Sequence, residues 1–411
     1  VGRGCNLSEI PTGSHRGFSS DRRQEMSHIN KLIADLCPNG VEFSTMGDVG
    51  SFTRGNGLQK TDLLREGTPA IHYGQVHTLY GTWTAQTKSF VSPELASRLR
   101  RAKQGDLVIA TTSEDDDAVA KATAWLGHDE AAVSGDAYIY RHCLDPKYVA
   151  YFFQSGSFQE QKKRYITGAK VRRISGESLG KIRVPVPPLE VQREIVRVLD
   201  KFTQLEAELE AELEARRRQY EHYRAILLSF GNKIEWTTLG NIATIGTGSH
   251  DTKNAVPDGE YVFYARGREP LLLDSFDFDE NAIITAGDGV GVGKVFHFAT
   301  GKYALHQRAY RIAPHKGVDA RYVYHYLVSD FSNYLKQTSV HASVTSLRRP
   351  MFIKYPIPLP ALEEQRHIVS ILDRFDSLVN DLSIGLPAEL AARRKQYEYY
   401  RDQLLTFEEK R

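Results

Sequence analysis

The sequence is poor in cysteine and has no long apolar run. Its three cysteines, Cys5, Cys37 and Cys143, lie far apart and form no CxxC pair or Cys/His cluster. An odd number of widely spaced cysteines argues against a disulfide framework and a metal site, and it favours a reducing compartment. No stretch approaches the roughly 18 apolar residues that a membrane-spanning helix needs. We therefore expect a cytoplasmic protein that does not enter a membrane.

Net charge is also nearly absent. The 53 Lys and Arg residues are almost balanced by 51 Asp and Glu residues, which leaves a formal charge of +2. A nucleic-acid partner would therefore need a local basic surface, because the chain as a whole is not a polycation. At 411 residues the chain is long enough for two or three domains with their own cores.

The first 25 residues are polar and contain no apolar core of a signal peptide. Met26 opens the segment MSHINKLIADLCPNG, which resembles a natural start. We expect residues 1–25 to be upstream or vector-derived and disordered.

The most informative feature of the sequence is an internal repeat. The decamer ARRRQYEHYR at 215–224 returns as ARRKQYEYYR at 392–401, with eight of ten positions identical. Upstream, PPLEVQREIVRVLDKFTQL at 187–205 matches PALEEQRHIVSILDRFDSL at 360–378, an offset of 173 positions. The decamers align at an offset of 177, so the second copy holds four extra residues between its matched parts. A long repeat of this kind indicates that the chain is a duplicated unit.

The segments before the two repeated helices match more faintly, as in VEFSTMGDVG and IEWTTLGNIA. The order is therefore globular unit, long helix, globular unit, long helix. The predicted domains are a first globular domain at 26–187, a helix at 188–231, a second globular domain at 232–359 and a helix at 360–411.

Both helices carry one continuous apolar stripe, with steps of three and four residues. The first runs between Pro188 and Gly231, which are a typical start and stop, and its 41 or so residues span about 60 Å. One small domain cannot cover a helix of that length, so we expect the second repeated helix to be its packing partner. The residues predicted to pack are Leu199, Phe202, Leu205, Leu209, Leu213, Tyr220, Tyr223, Leu372, Phe375, Leu390, Tyr397 and Tyr400.

The two helices differ in two respects. The second contains Gly385 and Pro387, whose cost in a helix interior predicts a kink or break there that absorbs the four extra residues. The first carries alternating glutamates between Glu206 and Glu214. If the two helices pack antiparallel, this acidic stretch faces the basic end of the other helix, with exposed pairs contributing about 0–1 kcal/mol each.

The fold class predicted is α+β, with two globular α/β domains separated by the helices and related by a pseudo-twofold duplication. Segments 105–113 and 281–287 are typical of strands that end in turns, and segments 148–165 and 322–337 are typical of helices. Antiparallel helices would place the two domains at opposite ends of the spacer.

The segment GDGVGVGK at 287–294 resembles a phosphate-binding loop but departs from it twice. Asp288 stands where the motif needs its first glycine, and Val295 stands where it needs Ser or Thr. We interpret the segment as a Gly-rich turn between two strands. The sequence also has no methyltransferase catalytic loop, no adenosyl-binding fingerprint and no catalytic constellation among its 14 histidines. We expect a non-catalytic chain that binds no cofactor or metal.

Basic and polar residues cluster in loops of both globular domains. Lys and Arg neutralise phosphates, while Arg, Asn and Gln read base edges. Clusters in both domains indicate a DNA-binding face, although any single residue is more often a solvated side chain. The candidates in the first domain are Arg54, Asn56, Lys60, His72, Tyr73, Gln75, Lys170, Arg172 and Arg173. Those in the second are His250, Lys253, Tyr264, Arg266, Arg268, Lys294, His306, Gln307, Arg308, His341, Arg348 and Arg349.

The paired PLxxQxxIVxxLDxF helices, each following a variable unit, resemble the specificity subunit of type I restriction-modification enzymes. The resemblance covers residues 40–411. It implies two target recognition domains that each bind one half of a bipartite, asymmetric double-stranded DNA site. It also implies that the two helices pack antiparallel as a coiled-coil spacer and set the half-site spacing. Two modification (methyltransferase) subunits would dock on this spacer, with restriction subunits in the full complex. S-adenosylmethionine, ATP and Mg are then expected on the partner subunits and not on this chain.

Two other interpretations remain open. The chain is alternatively a scaffold that positions two ligand- or protein-binding modules without binding DNA, or an enzyme with diverged active sites. Steep salt dependence of binding to a bipartite duplex separates the first interpretation from the scaffold. Methylation by the purified chain alone would favour the enzyme.

Overall fold

A computed structural model describes residues 18–410 except 232–233, 290, 339–345 and 382. The chain forms two compact units. The first unit runs to Glu208 and resumes at Ala391, and the second unit is Leu209–Leu390. The limits of these units fall inside the helices, because each unit packs against parts of both. No helix in the described part of the chain has the length and hydropathy that a membrane span requires.

The helices begin and end as follows in chain order. They are α1 Phe18–Leu36, α2 Tyr73–Thr78, α3 Pro93–Ala96, α4 Pro146–Phe152, α5 Gly156–Lys163, α6 Gly176–Gly180, α7 Leu189–Leu227, α8 Leu239–Ile242, α9 Ala320–Thr338, α10 Arg349–Ile353, α11 Leu362–Asn380 and α12 Leu386–Leu404. Short 3-10 turns lie at Lys60–Asp62 and Thr252–Asn254.

The first unit contains strands β1 Glu42–Thr45, β2 Gly50–Arg54, β3 Thr68–Ile71, β4 Trp83–Thr84, β5 Ser89–Val91, β6 Arg101–Ala102, β7 Leu107–Ala110, β8 Thr112–Ser113, β9 Ala122–Trp125, β10 Ala131–Val133, β11 Ala137–His142, β12 Arg172–Arg173 and β13 Arg183–Val186. They form a five-stranded sheet in the order β2-β11-β7-β9-β4 and a four-stranded sheet in the order β5-β3-β10-β6. The remaining strands pair as β1-β13 and β8-β12.

The second unit contains strands β14 Trp236–Thr238, β15 Ala243–Thr247, β16 Tyr261–Tyr264, β17 Leu271–Leu273, β18 Phe278–Asp279, β19 Ala282–Ala286, β20 Phe296–Ala299, β21 Lys302–Leu305, β22 Ala309–Pro314 and β23 Pro356–Pro358. Its sheets have the orders β15-β22-β19-β20, β17-β16-β21-β18 and β14-β23. These repeat the sheets of the first unit, apart from the edge strand β4 and the β8-β12 pair, whose place in the second unit is taken by a single bridge between Asp288 and Ser346. The mixed helix and sheet content and the internal duplication confirm the predicted fold class.

Each repeated helix is fixed to its unit by the glutamine of the repeated motif. Gln192 is 3% exposed; its side chain accepts a hydrogen bond from the backbone N–H of Asp145 at 2.8 Å and donates one to the Pro187 carbonyl at 2.8 Å. Gln365 makes the same two contacts, with the N–H of Asp319 and the carbonyl of Pro360. A buried amide must satisfy both its donor and its acceptor, which explains why the motif has Gln at this position.

The apolar stripes enter the cores of the two units. Leu199, Phe202 and Tyr397 lie in the core of the first unit, with Tyr400 packed against it. The core of the second unit contains Leu213, Tyr220, Leu372 and Leu390, with Leu209 and Phe375 packed against it. Tyr223 stacks on Phe375, and Leu205 is half-buried outside these clusters.

Within the first unit, α7 and α12 run antiparallel. Phe202 of α7 contacts Tyr397 and Tyr400 of α12. Glu206, which lies later in α7, pairs with Arg394, which lies earlier in α12. Arg394 Nε donates to the Glu206 carboxylate at 2.6 Å. The predicted contact between an acidic stretch and a basic end therefore occurs in this unit.

One detailed prediction for the helices matches the structure and two differ from it. The second repeated helix is interrupted between Asn380 and Leu386, the place where Gly385 and Pro387 predict a break. Segment 148–165 is not one helix, because α4 ends at Phe152 and α5 begins at Gly156, with Ser155 capping α5.

Helix α1 begins at Phe18, within the segment expected to be disordered. Downstream, Ile29 is buried in the first core and Leu32 packs against it. No proline or glycine interrupts the sequence from Phe18 to Leu36, so the helix is continuous over this range. Residues 1–17 lie outside the described part of the chain.

Candidate nucleic-acid interface

The candidates of the first unit come together where several chain segments meet. The loop Ser134–Gly135–Asp136 leads into β11. A segment at Thr111 hydrogen-bonds to this loop, and a segment at Ile174 hydrogen-bonds to Thr111 in turn. The N–H of Thr111 donates to the Asp136 carbonyl at 3.0 Å, and the N–H of Ile174 donates to the Thr111 carbonyl at 3.3 Å. We call residues 54–60, 72–75, 111–117, 134–136 and 170–175 the first loop edge.

Arg54 is held at this edge by its own unit. Its Nε donates to the Gly135 carbonyl at 2.7 Å, and an Nη atom contacts the Asp136 carboxylate at 3.3 Å. The side chain remains 59% exposed. Arg54 therefore combines a fixed position with an accessible positive charge.

Other candidates of the first unit are engaged in intramolecular hydrogen bonds. Asn56 donates to the Arg98 carbonyl and accepts from the N–H of Arg100. Gln75 accepts from the N–H of His72 and donates to Ser89. These amides stabilise the loops, so their predicted role as base readers has no support from their geometry.

His72 and Arg172 also serve the fold. His72 Nδ1 accepts from the N–H of Gly74 at the start of α2, and burial, together with the nearby Lys60, lowers the pKa of His72. Arg172 donates to the Gly168 carbonyl at 2.7 Å and pairs with Asp116 at 2.8 Å. Neutral His72 adds no charge to this edge.

The remaining candidates of the first unit are accessible to different degrees. Lys60, Lys170 and Arg173 are exposed. Tyr73 is half-buried beside His72, and its N–H donates to Ser134 Oγ at 2.8 Å. The first loop edge thus presents Arg54, Lys60, Lys170 and Arg173 as accessible cations.

The second unit repeats the backbone of this edge. The N–H of Gly287 donates to the Arg308 carbonyl at 2.8 Å, and the N–H of Leu347 donates to the Gly287 carbonyl at 2.7 Å. In this register Gly287 corresponds to Thr111 and Arg308 to Asp136. We call residues 247–253, 264–268, 287–294, 306–308 and 346–349 the second loop edge, leaving out residue 290.

Two arginines of the second loop edge share one carboxylate. Arg266 and Arg308 each donate through Nη1 to a different oxygen of Asp288, at 2.9 and 3.2 Å. The hydrogen bond from Arg266, assisted by Arg308, lowers the pKa of Asp288. The arginine side chains remain 41% and 62% exposed.

The histidines of the second loop edge support its backbone. His306 is 2% exposed, and its Nδ1 accepts from the N–H of Arg308 at 2.9 Å. Burial, with the nearby Arg266, lowers the pKa of His306. His250 contacts Asp277 at 3.2 Å. The His306 ring is enclosed in this structure, and its predicted contact with DNA stays a prediction.

The other candidates of the second unit separate into supporting and exposed groups. Gln307 donates to Asp251, and Tyr264 is half-buried against His297 and Tyr303. The exposed residues are Lys253, Arg268, Lys294, Arg348 and Arg349. His341 lies outside the described residues.

The basic residues that close the two edges are not at matching positions. Arg173 pairs with Thr112 across strands β12 and β8, and the matching bridge in the second unit joins Ser346 to Asp288. Arg348 and Arg349 instead begin α10, as Ser175 and Gly176 begin α6. The two ends are therefore similar in composition and different in register.

Acidic residues were missed by the search for basic and polar clusters. Asp136, Asp288 and Asp116 each hold an arginine of a loop edge. The signal available in the sequence was Asp288, which interrupts an otherwise Gly-rich turn. Among the residues described, no group of three or more His, Cys, Asp or Glu side chains is arranged to hold a metal ion.

Comparisons with known proteins agree with this architecture. The family model for the type I restriction modification DNA specificity domain matches residues 38–215 and 233–392. The chain is 32% identical over 422 residues to the type I restriction enzyme EcoR124I/EcoR124II specificity subunit of Escherichia coli, covering 93% of this chain and 98% of the relative.

Solved structures share the fold. A type I restriction-modification S subunit from M. genitalium has a TM-score of 0.58 at 14% identity, covering 89% of this chain and 96% of that one. A chain solved in work on complex assembly and conformational transition of the type I R-M system has a TM-score of 0.54 at 16% identity, covering 90% and 98%. With two matched domains and a full-length relative, the chain belongs to the family of type I restriction-modification specificity subunits.

Proposed function

We propose that each unit binds one half of a bipartite, asymmetric site in double-stranded DNA through its loop edge. The observation that carries this proposal is the repetition of one backbone arrangement with different side chains. The same hydrogen bonds position Asp136 in the first loop edge and Arg308 in the second. Two such edges suit the reading of two different sequences, since base contacts specify and backbone contacts only position.

The helices set the spacing between the half-sites in this proposal. Helix α7 contributes its first part to one unit and its last part to the other, and its 39 residues correspond to about 58 Å. Half-sites on one face of a duplex are separated by about 34–36 Å per helical turn. A continuous helix shared by the two units suits the role of a ruler.

Membership of the family supports a proposal for the partners. We propose that two modification subunits dock on the helices, that restriction subunits complete the complex, and that S-adenosylmethionine, ATP and Mg are bound by those partners. The chain then contributes sequence recognition to adenine methylation and to DNA cleavage without catalysing either.

Long-read sequencing of native DNA from cells that carry the chain with its modification subunits tests this proposal. Wild type should yield one bipartite methylated motif. Inserting or deleting whole turns in the middle of α7 should change the number of base pairs between the half-sites and leave both half-sites unchanged. An unchanged spacing would contradict the ruler role.

Salt dependence of DNA binding by the same complex tests the recognition surfaces. Phosphate contacts predict a linear fall of log K against log salt. Replacement of Lys170 and Arg173 by alanine should make this slope shallower, because both cations are exposed at the first loop edge. A complex that binds no DNA, or a slope that these replacements leave unchanged, would favour a scaffold for other ligands.

A further inference from the structure

Two glycines of the second loop edge, Gly287 and Gly291, lie against the backbones of two arginines. A Cβ on Gly287 would lie 2.6 Å from the Arg308 carbonyl oxygen, and a Cβ on Gly291 would lie 2.9 Å from the Arg266 carbonyl oxygen. Because only glycine lacks a Cβ, only glycine lets the loop approach both arginines this closely. The close approach brings Asp288 within hydrogen-bond distance of both guanidinium groups.

Arg308 is fixed at its backbone and at one side-chain nitrogen. Its N–H donates to His306 Nδ1, its carbonyl accepts from Gly287, and its Nη1 donates to Asp288. A guanidinium group has five N–H donors. Among the described residues, no partner engages Nε or Nη2 of Arg308, and the side chain is 62% exposed.

We propose that Arg308 reads a guanine in the half-site bound by the second unit, and that Asp288, anchored by Arg266, is the positioning residue that holds it. The proposal rests on the proposed function, since it names the base that the second loop edge recognises. Guanine presents O6 and N7 as adjacent acceptors in the major groove, and a guanidinium edge matches them with two donors.

The shared carboxylate favours a base over a phosphate as the target. Asp288 is 25% exposed and carries a negative charge beside Arg308. The carboxylate offsets one of the two arginine charges and so weakens the attraction for a phosphate, whereas the uncharged acceptors of guanine need only the directed N–H donors of Arg308. Lys294 is exposed in the same loop, with no ion pair to any residue that the structure describes, and it suits a phosphate.

The first unit does not carry this arrangement. Asp136 stands at the position of Arg308, and Arg54 contacts both its carboxylate and the Gly135 carbonyl. An aspartate accepts from cytosine and cannot donate to guanine. This arrangement of arginine and aspartate, with the guanine contact proposed for it, therefore belongs to the second unit only.

The experiment measures binding of the assembled methyltransferase complex to duplexes that carry the bipartite motif identified by long-read sequencing. Each guanine is replaced in turn by 7-deazaguanine, which keeps base pairing and removes the N7 acceptor. In wild type, replacing one guanine of one half-site should weaken binding about 2- to 12-fold, half of the free energy of a complete bidentate contact, because the O6 acceptor remains. In the Arg308→Ala complex, the same replacement should have no effect, because the donor is already absent.

Two further variants distinguish the positioning of Arg308 by Asp288 from a loss of folding and from a general effect of charge on DNA binding. Asp288→Ala should lower the ratio of specific to non-specific binding while leaving non-specific binding no weaker, because it removes a negative charge from the edge. Lys294→Ala should weaken specific and non-specific binding by the same factor and should keep the 7-deazaguanine effect.

The outcomes distinguish this inference from the proposed function. If wild type binds its motif specifically and Arg308→Ala responds to every 7-deazaguanine replacement as wild type does, the guanine assignment is overturned. Half-site recognition then still stands. If Asp288→Ala weakens specific and non-specific binding equally, the positioning role is overturned. If wild type shows no sequence preference, the proposed function itself fails.

Discussion

The helix junctions, where α7 and α11 begin, make the same side-chain contacts in both units. The loop edges of the two units share only their backbone hydrogen bonds. At the junctions, Tyr148 and Tyr322 each donate to a carbonyl of the strand before the helix, at 3.0 and 2.8 Å. At the loop edges, the same hydrogen bonds position an aspartate in one unit and an arginine in the other. A surface that must pack against a fixed partner keeps its side chains, while surfaces that face different ligands are free to differ.

The aromatic contacts between helices extend this comparison. In the first unit Phe202 contacts Tyr397 and Tyr400, with ring centroids 6.5 and 5.4 Å apart. In the second unit Phe375 contacts Tyr220 and Tyr223, with centroids 6.2 and 5.3 Å apart. Both tyrosine pairs come from the repeated decamers, so the decamers are packing elements of the helices.

We expect the largest effect on stability from a substitution that removes one of these aromatic centres. Phe202→Ala should lower the free energy of unfolding by about 3–5 kcal/mol, because Phe202 is buried in the first core. Phe375→Ala should cost less, because Phe375 is only partly buried. Denaturant titrations followed by circular dichroism measure both. Equal losses would show that burial does not distinguish the two junctions.

Acid should destabilise the first unit through a group that the second unit lacks. Burial lowers the pKa of His142 to about 4, and Pro314 ends the corresponding strand of the second unit. The unfolded chain, with a His pKa near 6.5, then binds the proton more tightly than the folded one. The contribution of neutral His142 to the free energy of unfolding is complete above pH 6.5. It is lost as the pH falls toward 4, a change of about 3 kcal/mol.

Denaturant titrations at pH 7 and pH 4.5 test this contribution by comparing wild type with His142→Leu. The variant should lose less stability on acidification, since leucine does not titrate. An equal loss in both proteins would mean that other groups account for the acid sensitivity.

The glutamines of the repeated motif should be equivalent in the two units. Gln192→Ala and Gln365→Ala each leave a buried N–H and a buried carbonyl without their partner, which should cost about 2 kcal/mol. Exposed Gln104, which donates to a loop carbonyl, provides a control that should cost less than about 0.5 kcal/mol. A large difference between the two motif variants would break the equivalence of the junctions.

The smallest effect concerns the ion pair between Arg394 and Glu206. Its partners are 50% and 23% exposed, so a double-mutant cycle should give a coupling below about 1 kcal/mol that decreases with salt. The second unit has buried Val379 at the position of Glu206 and no counterpart of this pair. A coupling of several kcal/mol would make charge, and not the aromatic contacts, the main link between these helices.

The duplication, the helices and their buried stripes were predictable because their signals are local. A period of three and four residues reports a helix face directly, and the break near Gly385 follows from residue types that helices reject. The split between α4 and α5 was harder to predict, because Ser155 acts as a cap only once the chain turns there. The same residue type occurs elsewhere inside helices.

The candidate site was predictable in its location and not in its contacts. Basic residues in paired loops pointed to the loop edges, yet Asn56 and Gln75 are engaged in holding those loops. Asp288 was noticed only as a departure from a phosphate-binding motif. No pattern along the chain links it to Arg266 and Arg308, which lie 22 and 20 positions away.

The repeat, its stripes and its Gln positions follow from the order of residues, because neighbours along a helix meet whatever the rest of the chain does. The partners of each arginine at the loop edges follow from strand register. Sheet pairing brings residues 266, 288 and 308 together in the second unit and residues 54 and 136 in the first. Contacts across such distances in sequence depend on the whole sheet, so the folded chain alone shows which charges remain available to a ligand.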